Sequence, residues 1–190
     1  MRLEEIMMTI YGNHLEVMEK ILSHLVEDIK QYSSHYEHLN YRIKSDESMR
    51  EKCLRKQLPV NENSVLHGIT DSIGIRGVTS FLDDVYYCKD MIKSLDYVEV
   101  VKEKDYIKNV KKNGYRSYHM ILKIEGYFVE VQLRTIAMDS WAALEHKVSY
   151  KHQLKNKELI QEELKRCADE LASCDLSMQT IKTLIEEDEL

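Results

Sequence analysis

The chain has one proline, Pro59, no CxxC pair and no excess of positive charge: 27 lysines and arginines face 33 aspartates and glutamates, a formal charge of −6. Each shortage excludes something. A dedicated duplex-DNA binder carries a strongly basic face, which this balance does not supply. Cys53, Cys88, Cys167 and Cys174 lack the spacing of a zinc site or a dithiol motif, which leaves them as free, structural thiols. No apolar run approaches the roughly 18 residues that span a bilayer, and the N-terminus lacks the basic-then-apolar order of a secretion signal. A cytoplasmic protein with no membrane partner is expected. Repeats and low-complexity segments are also missing.

What is present suffices for one well-cored domain spanning residues 1–190, since 43% of the side chains are hydrophobic. Charge is unevenly spread. Ten acidic and three basic residues fall between Glu158 and Leu190, whereas Tyr41 to Lys56 carries six basic against three acidic, and Lys102 to Arg116 six against two. Two interior basic stretches in an acidic chain point to a local anionic ligand.

Apolar residues at Leu15, Met18, Leu22, Leu25, Ile29, Tyr32 and Tyr36 predict a long amphipathic N-terminal helix within residues 1–40. A shorter helix is expected from Asp46 to Lys56, with Ser45 as its N-cap, followed by a turn-rich loop from Pro59 to Ile69. The runs SIGIRGVTSF and YVEVVKEKDYI read as strands flanking a helix from Asp83 to Leu95. Tyr118 to Ile124 and Tyr127 to Arg134 are alternating runs separated only by Glu125 and Gly126, which predicts a two-residue hairpin. From Thr135 onward the pattern is helical, with Ile136, Trp141, Leu144 and Val148 on one stripe and Leu159, Leu164, Leu171, Met178 and Ile185 on another. The fold class is therefore α+β: a mixed, nucleotidyltransferase-like sheet flanked by helices, with long helices at both ends.

The hairpin fixes a register. Ile124 pairs with Tyr127, Ile121 with Glu130 and His119 with Gln132, so His119, Glu130, Gln132 and Arg134 share one face. Tyr118, Met120, Leu122, Val129, Val131 and Leu133 form the opposite, apolar face. A glutamate in mid-strand is unusual and costly to bury unpaired. Asp71, just before the strand that holds Arg76, is either a turn residue or a second carboxylate converging on Glu130. Two such carboxylates suit magnesium, which takes one or two from protein and completes its shell with phosphate oxygens and water. Ser48, Lys52 and Arg55 share one helix face, as a phosphate contact or as a solvated basic surface. The stretch KKNGYRSYHM combines cations, a glycine and aromatic rings, which suits a phosphorylated nucleotide, an RNA patch or a basic loop.

RIKSDESMREK, DSIGIR, EKDYI, KKNGYRSYH, VEVQLRT and WAALEHKVSYK occur in the order found in the synthetase domain of RelA/SpoT-type enzymes, and the chain resembles a small alarmone synthetase. The resemblance runs from Tyr41 to Lys151, the expected catalytic core, with 152–190 as a C-terminal helical segment. It implies a magnesium-dependent pyrophosphokinase that moves the β,γ-pyrophosphoryl group of ATP to the ribose 3′-hydroxyl of GDP or GTP, making ppGpp or pppGpp. GMP stays open as an acceptor. By the same resemblance, Arg42 and Arg76 sandwich adenine, Lys44, Ser48, Lys52 and Arg55 contact the ATP phosphates, and Asp71 and Glu130 hold the metal. Tyr115 stacks on guanine, Lys104, Lys111 and His119 surround the acceptor phosphates, and Gln132 and Arg134 complete that side.

Val110 stands where many relatives have proline, Ile73 replaces a small residue and Gly77 an aliphatic one. No His-Asp dipeptide is present, so no hydrolase is implied. The resemblance also implies a homotetramer built by the terminal helices, although HLNY, before Arg42, differs from the family's regulatory cleft. The Gly-Ser and paired aspartates of other nucleotidyltransferases are absent. A silent single-stranded RNA binder would have no use for both carboxylates, and RNA as a regulatory partner stays open.

Overall fold

The computed structural model describes residues 9–149 and 155–188. Five strands form a mixed sheet in the order β1-β2-β5-β4-β3, with ranges His38–Ile43, Ile73–Thr79, Glu99–Asp105, Tyr118–Ile124 and Tyr127–Thr135 for β1 to β5. β2 and β5 run parallel, and the other pairs are antiparallel. The helices are α1 (Leu15–Lys30), α2 (Asp46–Arg55), α3 (Leu82–Lys93), α4 (Ile136–Ser149) and α5 (Lys157–Asp188). The fold is α+β, as the sequence pattern requires.

The hairpin register is the expected one, with Ile124 opposite Tyr127 and His119 opposite Gln132. Its turn residues, Glu125 and Gly126, both have positive φ, 49° and 89°, the geometry that lets a two-residue loop follow the strand twist. Met120, Leu122, Val129, Val131 and Leu133 are fully buried. They pack in one core with Met18, Ile21, Leu25 and Ile29 of α1 and Val85, Cys88 and Ile92 of α3. Both helices therefore cover one face of the sheet and leave the other for polar groups. Ser45 caps α2 as expected, its Oγ accepting from the Ser48 N–H at 3.3 Å. All four cysteines are free.

Several boundaries differ from the sequence pattern. The N-terminal helix stops at Lys30 rather than running on to Tyr36, because Tyr32 leaves helical geometry, Ser33–His35 forms a 3-10 turn and Tyr36 is extended. Serines favour such local turns over helix continuation. β1 then starts at His38, a strand that the sequence pattern does not predict, within residues expected to belong in part to the N-terminal helix. Tyr36 has its own place in the core: a Cβ on Gly77 would lie 2.4 Å from the tyrosine ring, so the glycine that departs from the family pattern makes room for it. The Pro59 to Ile69 loop contains a π-helical turn, Ser64–Gly68. On α4, Ala137, Met138 and Trp141 are buried while Ile136 and Leu144 are exposed. On α5, Ala168 and Asp175 are buried and Leu164, Leu171 and Met178 of the expected stripe are half-buried, while Leu159 and Ile185, at its two ends, are exposed. Tyr150 and Lys151, the end of the WAALEHKVSYK motif, lie outside the described residues.

β3 carries an irregularity with a large consequence. Val100 pairs with Leu122, but Lys102 pairs with Ile121, so one extra residue, Val101, is inserted. A one-residue slip moves every later side chain to the other face. Lys102 and Lys104 thereby join the polar face instead of facing the core.

Candidate active site

The register lines the polar face with two cross-strand rows. Arg42, Gly74, Glu130, Ile121 and Lys102 form one, and Asn40, Arg76, Gln132, His119 and Lys104 form the next. Two clefts open on this face. The first, about 400 Å³, is lined by Asn40, Arg42, Lys44, Asp71, Arg76, Glu130 and Gln132, with Tyr41 and the Gly74–Ile75 backbone region. A Cβ at Gly74 would meet nothing within 4 Å, so its lack of a side chain leaves the cleft floor open. The second, about 310 Å³, is lined by Lys102, Lys104, Tyr106, Lys111, His119 and Glu130, among others. Glu130 borders both.

Asp71 precedes β2, where Lys44 from the end of β1 and Lys52 from α2 both donate to its Oδ2. The other oxygen, Oδ1, is buried without a hydrogen-bond partner. Burial would raise the Asp71 pKa, but the two ammonium groups outweigh it and hold the carboxyl below the ordinary aspartate range. Burial, reinforced by the Lys52 charge, pushes the Lys44 amine below its usual range despite Asp71. Glu130 behaves similarly. Burial and the Asp71 charge push its pKa up, His119 and Gln132 pull it down, and the balance is a lowered value. The Gln132 amide donates to Glu130 Oε2 at 3.0 Å, and His119 Nδ1 lies 3.8 Å from Oε1. Both carboxyls are therefore anionic at neutral pH.

The KKNGYRSYHM stretch lies beside the second cleft. Gly114 has φ +92° and forms a hydrogen-bonded turn with Lys111, its N–H 2.8 Å from the Lys111 carbonyl. Lys111 Nζ lies 4.3 Å from the centre of the Tyr106 ring and 4.7 Å from that of Tyr115, a cation held between two aromatic faces. Tyr115 OH is 2.8 Å from His119 Nε2 and accepts from Arg134 Nη2, also at 2.8 Å. The network is satisfied when the phenol proton goes to Nε2, which leaves the imidazole proton on Nδ1, facing Glu130.

Most of the expected groups are brought together, with four differences. Ser48 and Arg55 lie on the Lys52 face of α2, exposed and outside the lining of both clefts. Gln132, expected on the acceptor side, lines the first cleft because the parallel β2–β5 pairing sets it beside Arg76. Arg134 is buried beneath Tyr115, its guanidinium bound to Ser117, Asp139, Tyr115 and Gln132. Tyr115 itself supports His119 and Lys111 from beside the second cleft. Sequence reasoning missed Tyr106, Asn40 and Asp139. Tyr106 had a signal, an aromatic residue directly after the strand that carries Lys102 and Lys104. Asp139 had none, since its partners are distant in sequence.

No group of three or more His, Cys, Asp or Glu residues suited to a metal occurs among the described residues. That excludes a closed zinc-type centre there. A buried carboxylate with one free oxygen, interacting electrostatically with a second carboxylate in the same cleft, fits a hard cation that draws its remaining ligands from phosphate and water. Among the described residues no helix is long and apolar enough to cross a membrane.

Residues 41–155 match the family described as the region found in RelA / SpoT proteins. The chain is 33% identical over 183 residues to the GTP pyrophosphokinase YwaC of Bacillus subtilis (strain 168), which covers 91% of this chain and 87% of that protein. Its structure is similar to the small alarmone synthetase 2 of B. subtilis, with a TM-score of 0.79, 35% identity and coverage of 90% of this chain and 97% of the other. It is also similar to the small alarmone synthetase 1 of B. subtilis bound to its product pppGpp, with a TM-score of 0.75, 29% identity and coverage of 90% and 93%. Motif order, shared fold and a charged sheet face opening into two clefts all converge, and the chain belongs to the RelA/SpoT family.

Proposed function

We propose that this protein is a GTP pyrophosphokinase that makes ppGpp and pppGpp from ATP and GDP or GTP. The observation that carries this reading is the position of Glu130 on the border between two basic clefts, where a donor and an acceptor nucleotide would meet. Arg42 and Arg76 flank the donor base in the first cleft, where planar guanidinium groups stack well. Lys44 and Lys52, already gathered at Asp71, take the polyphosphate, with Ser48 and Arg55 at its solvent end. Lys104, Lys111 and His119 take the acceptor phosphates, and Tyr115 stacks on guanine when Lys111 leaves its ring face for a phosphate. Arg134 and Gln132 act from below, fixing Tyr115 and Glu130.

In the reaction the acceptor 3′-oxygen bonds to the β-phosphorus of ATP while the bond from that phosphorus to the α,β-bridging oxygen breaks, and AMP leaves with the electron pair. Glu130, anionic and oriented by Gln132 and His119, accepts the 3′-hydroxyl proton. Phosphoryl-type transfer depends chiefly on alignment and charge neutralisation, which this many cations supply. Asp71 and Glu130 would hold magnesium, which would neutralise the transferring phosphates.

Residues 1–190 act as one synthetase domain, cytoplasmic and homotetrameric, with GDP favoured over GTP and GMP because KEKD, Lys102 to Asp105, resembles the basic variant of the family's motif near the acceptor site. Tetramerisation gives the exposed Leu176, Ile181, Leu184 and Ile185 of α5 a partner. A monomeric mass in light scattering would exclude the tetramer. The activity is tested by incubating the protein with magnesium, ATP and each of GMP, GDP and GTP, then identifying products by anion exchange and mass spectrometry. The expected product is one pyrophosphoryl group heavier than its acceptor, with equimolar AMP. Folded protein that binds both nucleotides and releases no AMP overturns the reading.

A further inference from the structure

The proposed base contacts sit on separate elements, Arg76 on β2 and Tyr115 in the loop before β4, yet one side chain reaches toward both. Asp139 lies in the first turn of α4. Its Oδ1 accepts from Arg134 Nη1 at 3.1 Å and from Arg76 Nη1 at 3.5 Å, and its Oδ2 lies 3.9 Å from His38 Nε2. The buried Arg134 carries the connection onward, donating through Nη2 to Tyr115 OH at 2.8 Å and to Gln132 Oε1 at 2.6 Å. Asp139 is itself held in place. Thr135 Oγ donates to Asp175 Oδ2 of α5 at 2.7 Å and accepts from the Met138 N–H at 3.2 Å, which pins the start of the helix that presents Asp139.

We propose that Asp139 is a positioning residue that sets the donor-base and acceptor-base arms of the site relative to each other, through Arg76 on one side and Arg134 with Tyr115 on the other. The inference rests on the reading of Arg76 and Tyr115 as contacts to the two bases. The chemistry favours a carboxylate at this point. An anionic oxygen serves two guanidinium groups more strongly than a neutral carbonyl oxygen does, and a helix N-terminus favours a negative side chain. An asparagine would keep the shape but lose the charge and turn either its oxygen or its amide hydrogens toward cations.

The experiment is steady-state kinetics on Asp139→Asn and Asp139→Glu in the full chain, with thermal denaturation of each. KM for ATP and KM for GDP should each rise about fivefold in Asp139→Asn, with kcat less affected and Asp139→Glu intermediate, in line with the loss of a charge-assisted hydrogen bond. The diagnostic is dependence on background. With Arg76→Ala already present, Asp139→Asn should raise only KM for GDP, and with Tyr115→Phe present it should raise only KM for ATP. A general loosening of the fold would raise both in every background. Movement of one KM alone in the single variant, or fully multiplicative effects in both doubles, overturns the proposal. Should Asp139→Asn fail to fold, Asp139→Glu carries the same comparison. Titration calorimetry with α,β-methylene-ATP and with GDP separates this inference from the catalytic reading. Wild-type protein that binds both yet transfers nothing from ATP itself sinks the catalytic reading alone, and coupled weakening in the variant would still uphold Asp139.

Discussion

The cleft on the Asp71 side takes its groups from β1, β2, β5 and α2, elements whose backbones are tied by regular pairing or capped packing, whereas the cleft on the Lys104 side depends on an irregular strand and a loop. In the first, Arg42, Arg76 and Glu130 stand at register positions that the sheet cannot change without breaking its core. In the second, Lys102 and Lys104 face the site because Val101 is left out of the pairing as a bulge, and the loop from Lys111 to Arg116 is latched from outside. Arg116 donates to the Ala168 carbonyl at 3.2 Å and to Asp169 at 2.9 Å, both on α5. The donor side is thus part of the scaffold, and the acceptor side is an attachment to it. Acceptor choice can vary through the loop and the last helix while the donor site stays fixed.

The largest effect should come from the residue the two sides share. Glu130→Gln should lower kcat/KM by at least about a hundredfold, as removal of a major electrostatic group does, and Asp71→Asn should match it. Chelation of divalent cations should produce the same silence in wild-type protein. Near-normal turnover of Glu130→Gln would show that the transfer does not depend on the carboxylate at which the two clefts meet.

Lys104→Ala should raise KM for GDP by about thirtyfold, the scale of losing one strong charged contact, while KM for ATP moves little. Equal changes in both would erase the distinction between scaffold and attachment. The converse variant, Arg76→Ala, should raise KM for ATP by about tenfold with the acceptor unaffected, in proportion to a lost cation–π or stacking contact. Gly114→Ala is the subtlest. The new Cβ would lie 2.7 Å from the Ala168 Cβ at a φ of +92°, so the loop must lift from α5. KM for GDP should rise about threefold, a fraction of the cost of forcing a side chain into the left-handed region, with thermal stability modestly lowered. Steady-state kinetics against each substrate decides all three.

Much of this was legible from the amino-acid order. Alternation and the Glu125–Gly126 turn fixed one hairpin register, because period two allows a single choice that buries the apolar face. That register alone put His119, Glu130 and Gln132 on the exposed side, and the linked motifs added the donor-side cations. Less visible was where the N-terminal helix stops, since Tyr32 and Tyr36 keep the helical spacing although the chain turns at Ser33 to reach the sheet. The stripe on α5 was only partly the docking face: Leu164, Leu171 and Met178 are half-buried beside Ala168 and Asp175, while Leu159 and Ile185 are exposed.

By itself, then, the sequence determined the β4–β5 hairpin, the chemistry of its open face and the family, because those rest on local periodicity and on residues within a few positions of one another. The inserted residue in β3, the grip of α5 on the Gly114 loop and the meeting of Arg76, Arg134 and Asp139 were decided only in three dimensions. Arg76 and Asp139 are 63 residues apart, and Arg116 and Asp169 are 53 apart. No local pattern encodes such contacts, since they arise when packing of a shared core brings separate elements to one edge of the sheet.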